Sequence, residues 1–560
     1  MARLRSFRIF PRWPNALLAL GAAGLLILAF PDFEWWWTAW FALVPLMWAV
    51  EREAKAMPSF MLGWLFGTTF FFGTCWWLTY APIHYAGVPP WLAYLLIIVA
   101  CSLTGLFPGL FAAILARLLQ RFGSWAFLAA PFVWVFTEFA RYWLTGNDWN
   151  AIGYSQWQNE TAIGAYAPIG GVLLVSSAVV FYNVAFRGAL LILVSIVRWS
   201  LERNGILGQR EEPAEPELFR SVEPFNPNRF TEVILLGTYF VFVLFTMVFH
   251  PRFAGEQFAA NLVAVQPNVP MSGLDSGSLE RLRQRHADLA YAALKSIEEK
   301  RRSYSPTVPA GQPHPTLIVL PESPMNFAYN DDREFQQYVR DFTTRNNVSL
   351  LFNSAEPDRE TGKYFNSAVM VGPDGKKVAE YDKIYLLPFG EAVPFPFDGL
   401  MPAVVGSFAY GKNYSLVPVG DAKAGVMICF ESHFGQLGRE QVKQGADVII
   451  EMTNDGYLGP TPVLRQHLAN AVFRAVETNR PVIRVTNVGI TAYITETGQV
   501  LDAAPAYQEA TRVWSVSKSD GSQTFYVKYG DWCAWLCTVV TVGLFVMTFR
   551  RRSDVAEARG

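Results

Sequence analysis

Charge is scarce in this chain. Asp, Glu, Lys and Arg make up only 17% of its 560 residues, against about 25% in an ordinary soluble domain. Hydrophobic residues reach 52% and aromatic ones 15%, an apolar excess that belongs to a membrane protein. The net charge of -1, with no basic stripe interleaved with aromatics in any polar segment, sets nucleic acid aside as a partner. Histidine is limited to six residues without paired metal-ligand spacing, and neither a CxxC pair nor a glycine-rich phosphate loop occurs. No metal site and no cofactor are therefore expected. Of the five cysteines, Cys75, Cys101, Cys533 and Cys537 lie in or against apolar runs, which leaves Cys429 alone in the more polar part of the chain.

The apolar residues are gathered into runs. About 20 apolar residues cross a bilayer as a helix, and seven such spans followed by an eighth are expected near 14–30, 33–50, 59–80, 90–116, 125–144, 166–186, 231–249 and 531–549. Arg187 ends the sixth, and the apolar stretch beyond it is expected along the interface. The first run follows Arg3, Arg5, Arg8 and Arg12 and has two readings, a signal peptide or an uncleaved helix. A second span begins at once, with no small-residue cleavage site followed by polar sequence, which favours the helix. Glu138, inside or at the end of the fifth span, is expected to face a bundle interior or polar cavity. Basic residues collect in the N-terminal tail, in alternate loops (Arg52, Lys55, Arg117, Arg121, Arg198 to Arg229) and at Arg550 to Arg552. By the positive-inside rule these are cytoplasmic, so residues 251–527 are expected outside the cytoplasm, between a seven-helix segment 1–250 and a closing helix with tail, 528–560.

That external segment alternates strands and helices. ANLVAVQPNV and TLIVLPES read as strands, residues 276–302 place Leu279, Leu282, Leu289, Leu294 and Ile297 at helical spacing, and FNSAVMVGPDGKKVAEYDKIYL reads as a hairpin turning at Pro373, Asp374 and Gly375. The pattern predicts a layered α/β domain.

Three polar residues fall at or just beyond strand ends: Glu322 after TLIVLP, Lys383 after VAEYD, and Cys429 after GVMI. A carboxylate can take a thiol proton, a lysine can stabilise an oxyanion, and a thiolate can attack an acyl carbon. Taken singly each has an ordinary explanation: a small core cysteine, a solvated strand end, a surface charge. An unpaired thiol is a liability in an oxidising compartment, which weighs toward chemistry at Cys429. His433 and His467 leave a Cys-His pair open as well.

The ordered series LPES, YDKIYLLPFGEAVP, ICFE, TNDGYLG and QHLANAVFRAVETNRPVIRVTNVGITA resembles the carbon-nitrogen hydrolase (nitrilase) superfamily. With seven spans before and one after, and with TEFARYWLTGNDWNAIGYSQ in the apolar half, the chain is similar to the membrane branch of that superfamily, the apolipoprotein N-acyltransferases. The resemblance implies a polytopic α-helical membrane domain joined to a four-layer αββα sandwich. It implies a Glu-Lys-Cys triad at Glu322, Lys383 and Cys429, supported by Glu391 and Glu431, with the backbone N–H of Phe430 at an oxyanion. The implied reaction moves an acyl chain from a phospholipid, through a cysteine thioester, to a diacylglyceryl-modified lipoprotein at the bacterial inner membrane, with the catalytic domain periplasmic. Phe430 stands where the family usually has Tyr, Tyr385 where His is usual, and Tyr457 where Trp is usual. Tyr385 and Tyr457 are thereby candidate substrate contacts. So are Phe395, Leu400 and Phe408 in the apolar stretch 395–411, which reads either as a lid dipping into the bilayer or as a loop packed on the domain. A membrane-tethered amidase and a catalytically dead scaffold are the rival functions.

Overall fold

The computed structural model describes residues 8–204, 257–271, 276–304, 315–322, 328–388, 390–393 and 408–549. They fall into two compact units, the described parts of Met1–Tyr166, Val172–His250 and Asp531–Gly560 in one and of Ala167–Gly171 and Pro251–Gly530 in the other.

The first unit is helical. Its main helices are Trp13–Ile27, Val44–Glu53, Ala56–Cys75, Pro90–Thr104, Leu106–Phe122, Ala130–Thr145, Trp532–Met547 and the stretch Glu160–Arg203, which is interrupted at Gly170 and Gly171, where the backbone leaves helical geometry. Several open with proline in the first turn, where the missing N–H has no helical partner to lose. Small residues let helices approach closely: a Cβ added at Gly63 of Ala56–Cys75 would overlap the carbonyl of Pro108 in Leu106–Phe122. Among the described residues two stretches, Pro90–Thr145 and Glu160–Leu201, are long and apolar enough to cross a membrane, and Trp13–Ile27 and Trp532–Met547 are shorter apolar helices.

Two expected spans take a different form. The stretch 33–50 is not one helix: a 3-10 turn at Trp36–Trp40 is followed by the ten-residue helix Val44–Glu53, which starts anew at Pro45. Helical structure does not stop near Phe186: Arg187 is buried, paired with Glu51 at 2.5 Å and set over the Phe127 ring. With its charge neutralised the helix continues to Arg203. The stretch 231–249 lies outside the described residues. Glu138 is buried, and its carboxylate accepts the Ile152 N–H at 2.8 Å.

Among the described residues the second unit holds thirteen strands: β1 Gln257–Gln266, β2 Thr316–Val319, β3 Ser349–Pro357, β4 Tyr364–Val371, β5 Lys377–Asp382, β6 Phe408–Ala409, β7 Leu416–Val419, β8 Ala422–Ile428, β9 Val448–Thr453, β10 Val482–Thr486, β11 Ala492–Ile494, β12 Val500–Leu501 and β13 Ala510–Lys518. One sheet has the order β13-β1-β2-β3-β4-β5, with β6 beside β4, and the other β12-β11-β10-β9-β8-β7. Among the described residues five α-helices accompany them: α1 Ser276–Tyr304, α2 Arg333–Asn346, α3 Gly435–Lys443, α4 Val463–Thr478 and the short α5 Phe525–Tyr529.

Alternation along each strand decides which way its residues face. From β1, Leu262 and Ala264 join Val319, Leu351 and Met370 in a core shared with Val426, Ile428, Ile450, Met452 and Ile483 of the other sheet. Val263 and Val265 turn the other way and meet Ala287, Ala290 and Ala293 of α1 and Phe335, Val339 and Phe342 of α2. On the far side of the second sheet, α3 and α4 bury Leu437, Val472 and Phe473. The order is helix, sheet, sheet, helix, the nitrilase-like αββα fold, and each large aliphatic side chain in it contributes about 1.5–3 kcal/mol. The β4–β5 hairpin turns where the sequence places it, with the Gly375 N–H on the Gly372 carbonyl at 2.9 Å.

Candidate active site

Parallel pairing of β8 with β9, and of β2 with β1 and β3, fixes where those strands end. Glu322, Lys383 and Cys429 sit just beyond the C-terminal ends of β2, β5 and β8. Lys383 stays tied to the sheet after β5: its N–H donates to the Asn366 carbonyl at 2.9 Å and its carbonyl accepts the Gly411 N–H at 2.8 Å. At Cys429 the backbone enters the left-handed region, φ 53°, and passes into the 3-10 turn Cys429–His433. A non-glycine residue is held there only by its surroundings, and the result is a sharp corner that lifts the thiol out of the strand direction.

The three side chains converge. The thiol of Cys429 lies within electrostatic reach of both Glu322 and Lys383. Lys383 Nζ lies 3.6 Å from Glu322 Oε1 and 2.8 Å from each oxygen of Glu391. Asn366 bridges the two carboxylates, its Nδ2 donating to Glu322 Oε1 at 2.9 Å and to Glu391 Oε1 at 2.7 Å, while its own oxygen accepts from Asn353 at 2.7 Å. The Asn454 N–H donates to the other Glu322 oxygen at 3.2 Å, and Leu387 N–H to Glu391 at 2.7 Å.

Burial and neighbouring charge set the protonation states. Burial raises the Glu322 carboxyl above its usual range, Lys383 opposes this, and Glu391 reinforces it. Burial and the Glu322 charge together push the Cys429 thiol well up, against the pull of Lys383. Burial by itself lowers the Lys383 ammonium, but the Glu391 and Glu322 charges outweigh it and hold the lysine cationic. The resting site is thus a neutral thiol beside a carboxylate that is a better base than usual, with a fixed cation within reach.

Glu431 takes a different part. Its Oε1 accepts from the Tyr381 hydroxyl at 2.8 Å, Ile384 N–H at 2.6 Å and Tyr385 N–H at 3.0 Å, and its Oε2 from Ile428 N–H at 2.9 Å. It ties the end of β8 to the loop carrying Lys383. Burial pushes its carboxyl up to about 7, with Lys383 and these donors pulling the other way. Phe430 is buried, its ring edge-on to Phe434. Tyr385 stacks on Phe434 at 4.2 Å and its hydroxyl bonds Gln436. Tyr457 is 53% exposed in the turn after β9. Phe408 lies in β6 opposite Tyr364, whereas Phe395 and Leu400 lie outside the described residues.

Behind the cysteine lies a group that the sequence signals only faintly. His467 near the start of α4 places Nδ1 2.8 Å from Asp455 Oδ1, and Nε2 3.0 Å from the Cys429 carbonyl and 3.2 Å from Glu451 Oε1. Arg484 on β10 pairs with Glu451 on β9 at 2.5 Å and with Asp455 at 2.8 Å. The lone charges in VIIEMT and VIRVT are the signal, since a charge inside a buried strand needs a partner. The imidazole faces the nucleophile's carbonyl rather than its sulfur, so the Cys-His reading gives way. Asn366 is the other addition; nothing in FNSAV separates it from an ordinary strand residue. Among the described residues no group of three or more His, Cys, Asp or Glu is placed to hold a metal ion.

Two family models match the chain, the apolipoprotein N-acyltransferase N-terminal domain over residues 22–185 and carbon-nitrogen hydrolase over residues 275–524. Similar proteins include the apolipoprotein N-acyltransferase of Geobacter metallireducens, 29% identical over 98% of both chains, and that of Pasteurella multocida, 27% identical over 90% of both. The Thermotoga maritima enzyme is 30% identical over 58% of each chain.

Proposed function

Because the chain belongs to the apolipoprotein N-acyltransferase family, we propose that it moves a fatty acyl chain from a membrane phospholipid to the α-amine of the N-terminal diacylglyceryl-cysteine of lipoproteins. The observation that carries the mechanism is the placing of Cys429, just beyond the end of β8, within electrostatic reach of Glu322, which itself lies 3.6 Å from the buried Lys383. Glu322 takes the thiol proton as sulfur attacks the ester carbonyl. Lys383 and the Phe430 N–H face the oxyanion that forms. Collapse breaks the ester C–O bond; Glu322 returns its proton to the departing oxygen, a lysophospholipid leaves, and Cys429 carries a thioester. The lipoprotein amine then attacks, Glu322 takes its proton, the C–S bond breaks and the thiol is restored.

Glu391 orients Lys383. Tyr385, Tyr457 and the stretch containing Phe395, Leu400 and Phe408 contact lipid. The protein is a bacterial membrane protein; we place eight spans in it, seven within residues 1–250 and one in 528–560, with residues 251–527 on the periplasmic side, a reading that the distribution of Arg and Lys supports. An amidase acting on a small polar amide has no use for two lipid-sized substrates or for so apolar an N-terminal half. Supplying phospholipid without acceptor should add one acyl mass to the wild-type chain on Cys429 and none to Cys429→Ala. A folded, lipid-supplied wild type without that adduct contradicts the proposal.

A further inference from the structure

The buried group behind Cys429 has an arrangement that the reaction above does not use. Both ring nitrogens of His467 face acceptors: Asp455 Oδ1 on one side, and the Cys429 carbonyl with Glu451 Oε1 on the other. A neutral imidazole can donate from only one nitrogen, so this geometry needs a proton on both. The charges agree. Glu451 from β9, Asp455 from the turn after β9 and Arg484 from β10 face His467, and all are buried. Two anions and one arginine balance only if His467 is the second cation. Asp455 and Glu451 raise the imidazole to about 9, against burial and the Arg484 charge.

This group reaches the reacting cysteine through the bond from His467 to the Cys429 carbonyl, and the backbone of Cys429 sits at φ 53°. That conformation is strained for a non-glycine residue and persists only where neighbours hold it. We infer that His467, protonated on both nitrogens, is a positioning residue for acyl transfer: it clamps the Cys429 carbonyl and so keeps the corner that presents the thiol to Glu322. It also has an electrostatic consequence. Asp455 already pushes the Cys429 thiol up, and loss of the His467 proton would leave a net negative group behind the sulfur, opposing the negative charge that develops during attack.

The inference rests on the acyl-transfer reading, and the experiment separates the two. The full chain is purified in detergent and given dioleoyl phosphatidylethanolamine without acceptor, and acylation of Cys429 is followed by intact mass from pH 6 to 10. Wild type should lose acylation rate as pH rises through about 9. His467→Gln keeps a donor but not the charge; it should acylate about ten- to a hundredfold more slowly and lack that alkaline decline. Asp455→Asn removes the anion that raises the imidazole, so its decline should move about one pH unit lower or more. This variant reads the same property without touching His467, and a merely structural residue would not shift a pH limb. An alkaline limb unchanged in either folded variant overturns the inference while leaving the acyl transfer intact. A wild type that acquires no adduct at any pH overturns both.

Discussion

Lys383 is held between two carboxylates that do unequal work. Glu391 makes the closer contacts, 2.8 Å against 3.6 Å for Glu322, so it carries more of the ion pairing and leaves Glu322 free to take a proton. Glu391→Gln should let Lys383 move toward Glu322 and pair with it, making a weaker base. Acylation of Cys429 should fall about ten- to a hundredfold. Because the Glu391 charge raises the Glu322 carboxyl, the acid limb of the rate should also shift to lower pH in this variant. An unshifted limb would contradict the arrangement. Glu431 acts through structure. Glu431→Gln places an amide N–H against one of the donors now facing the carboxylate, at a cost of about 1–3 kcal/mol, to be read as a lower melting temperature in detergent. Glu322, Lys383 and Cys429 stand out in the sequence because each falls at or just beyond a strand end, whereas Glu391 and Glu431 enter only through the resemblance to the carbon-nitrogen hydrolases. Asn366 was not legible: its importance comes from Glu322 and Glu391 approaching it from two other segments, and no local pattern records that.

At the scale of elements, the parallel register of β9 and β10 sets Glu451 opposite Arg484, and the turn after β9 brings Asp455 to the same place. His467 completes the group from α4. Its proton is bound more tightly in the fold, about 9, than at its ordinary value of 6.5. Its stabilisation is therefore complete below about 6.5 and is lost as pH rises through about 9. A shift of that size is worth a few kcal/mol, about 1.4 for each pH unit. Asp455 is held down to about 2, below its usual 3.8, so its contribution is present above 3.8 and fades as pH falls through about 2. Thermal unfolding of the wild type should weaken between pH 6.5 and 9, and His467→Gln should flatten that slope. An equally steep slope in the variant would place the titration elsewhere. The strands and hairpin were readable from alternation and turn residues, and the two embedded charges were visible as exceptions. Their pairing was not, since it depends on which strands become neighbours. The pairing of Arg187 was not readable for the same reason: Glu51, which neutralises it, is distant in the chain.

For the whole molecule, composition alone separated an apolar N-terminal part from a more polar α/β part, and the basic residues gave a direction across the bilayer. Orientation has its own test. Glu360 is exposed in the turn between β3 and β4; Glu360→Cys in a Cys429→Ala background should react with a membrane-impermeant maleimide in intact spheroplasts. Reaction only after the membrane is broken would put the domain on the cytoplasmic side.

The central claim, a cysteine acyl-enzyme that delivers its chain to a lipoprotein amine, is tested most directly by mass. Wild type and Cys429→Ala are purified in detergent, given a phospholipid donor and a diacylated lipopeptide, and the lipopeptide mass is followed. The account predicts a gain of one acyl chain with the wild type and none with Cys429→Ala. No gain with folded wild type, or an equal gain with both, would contradict it.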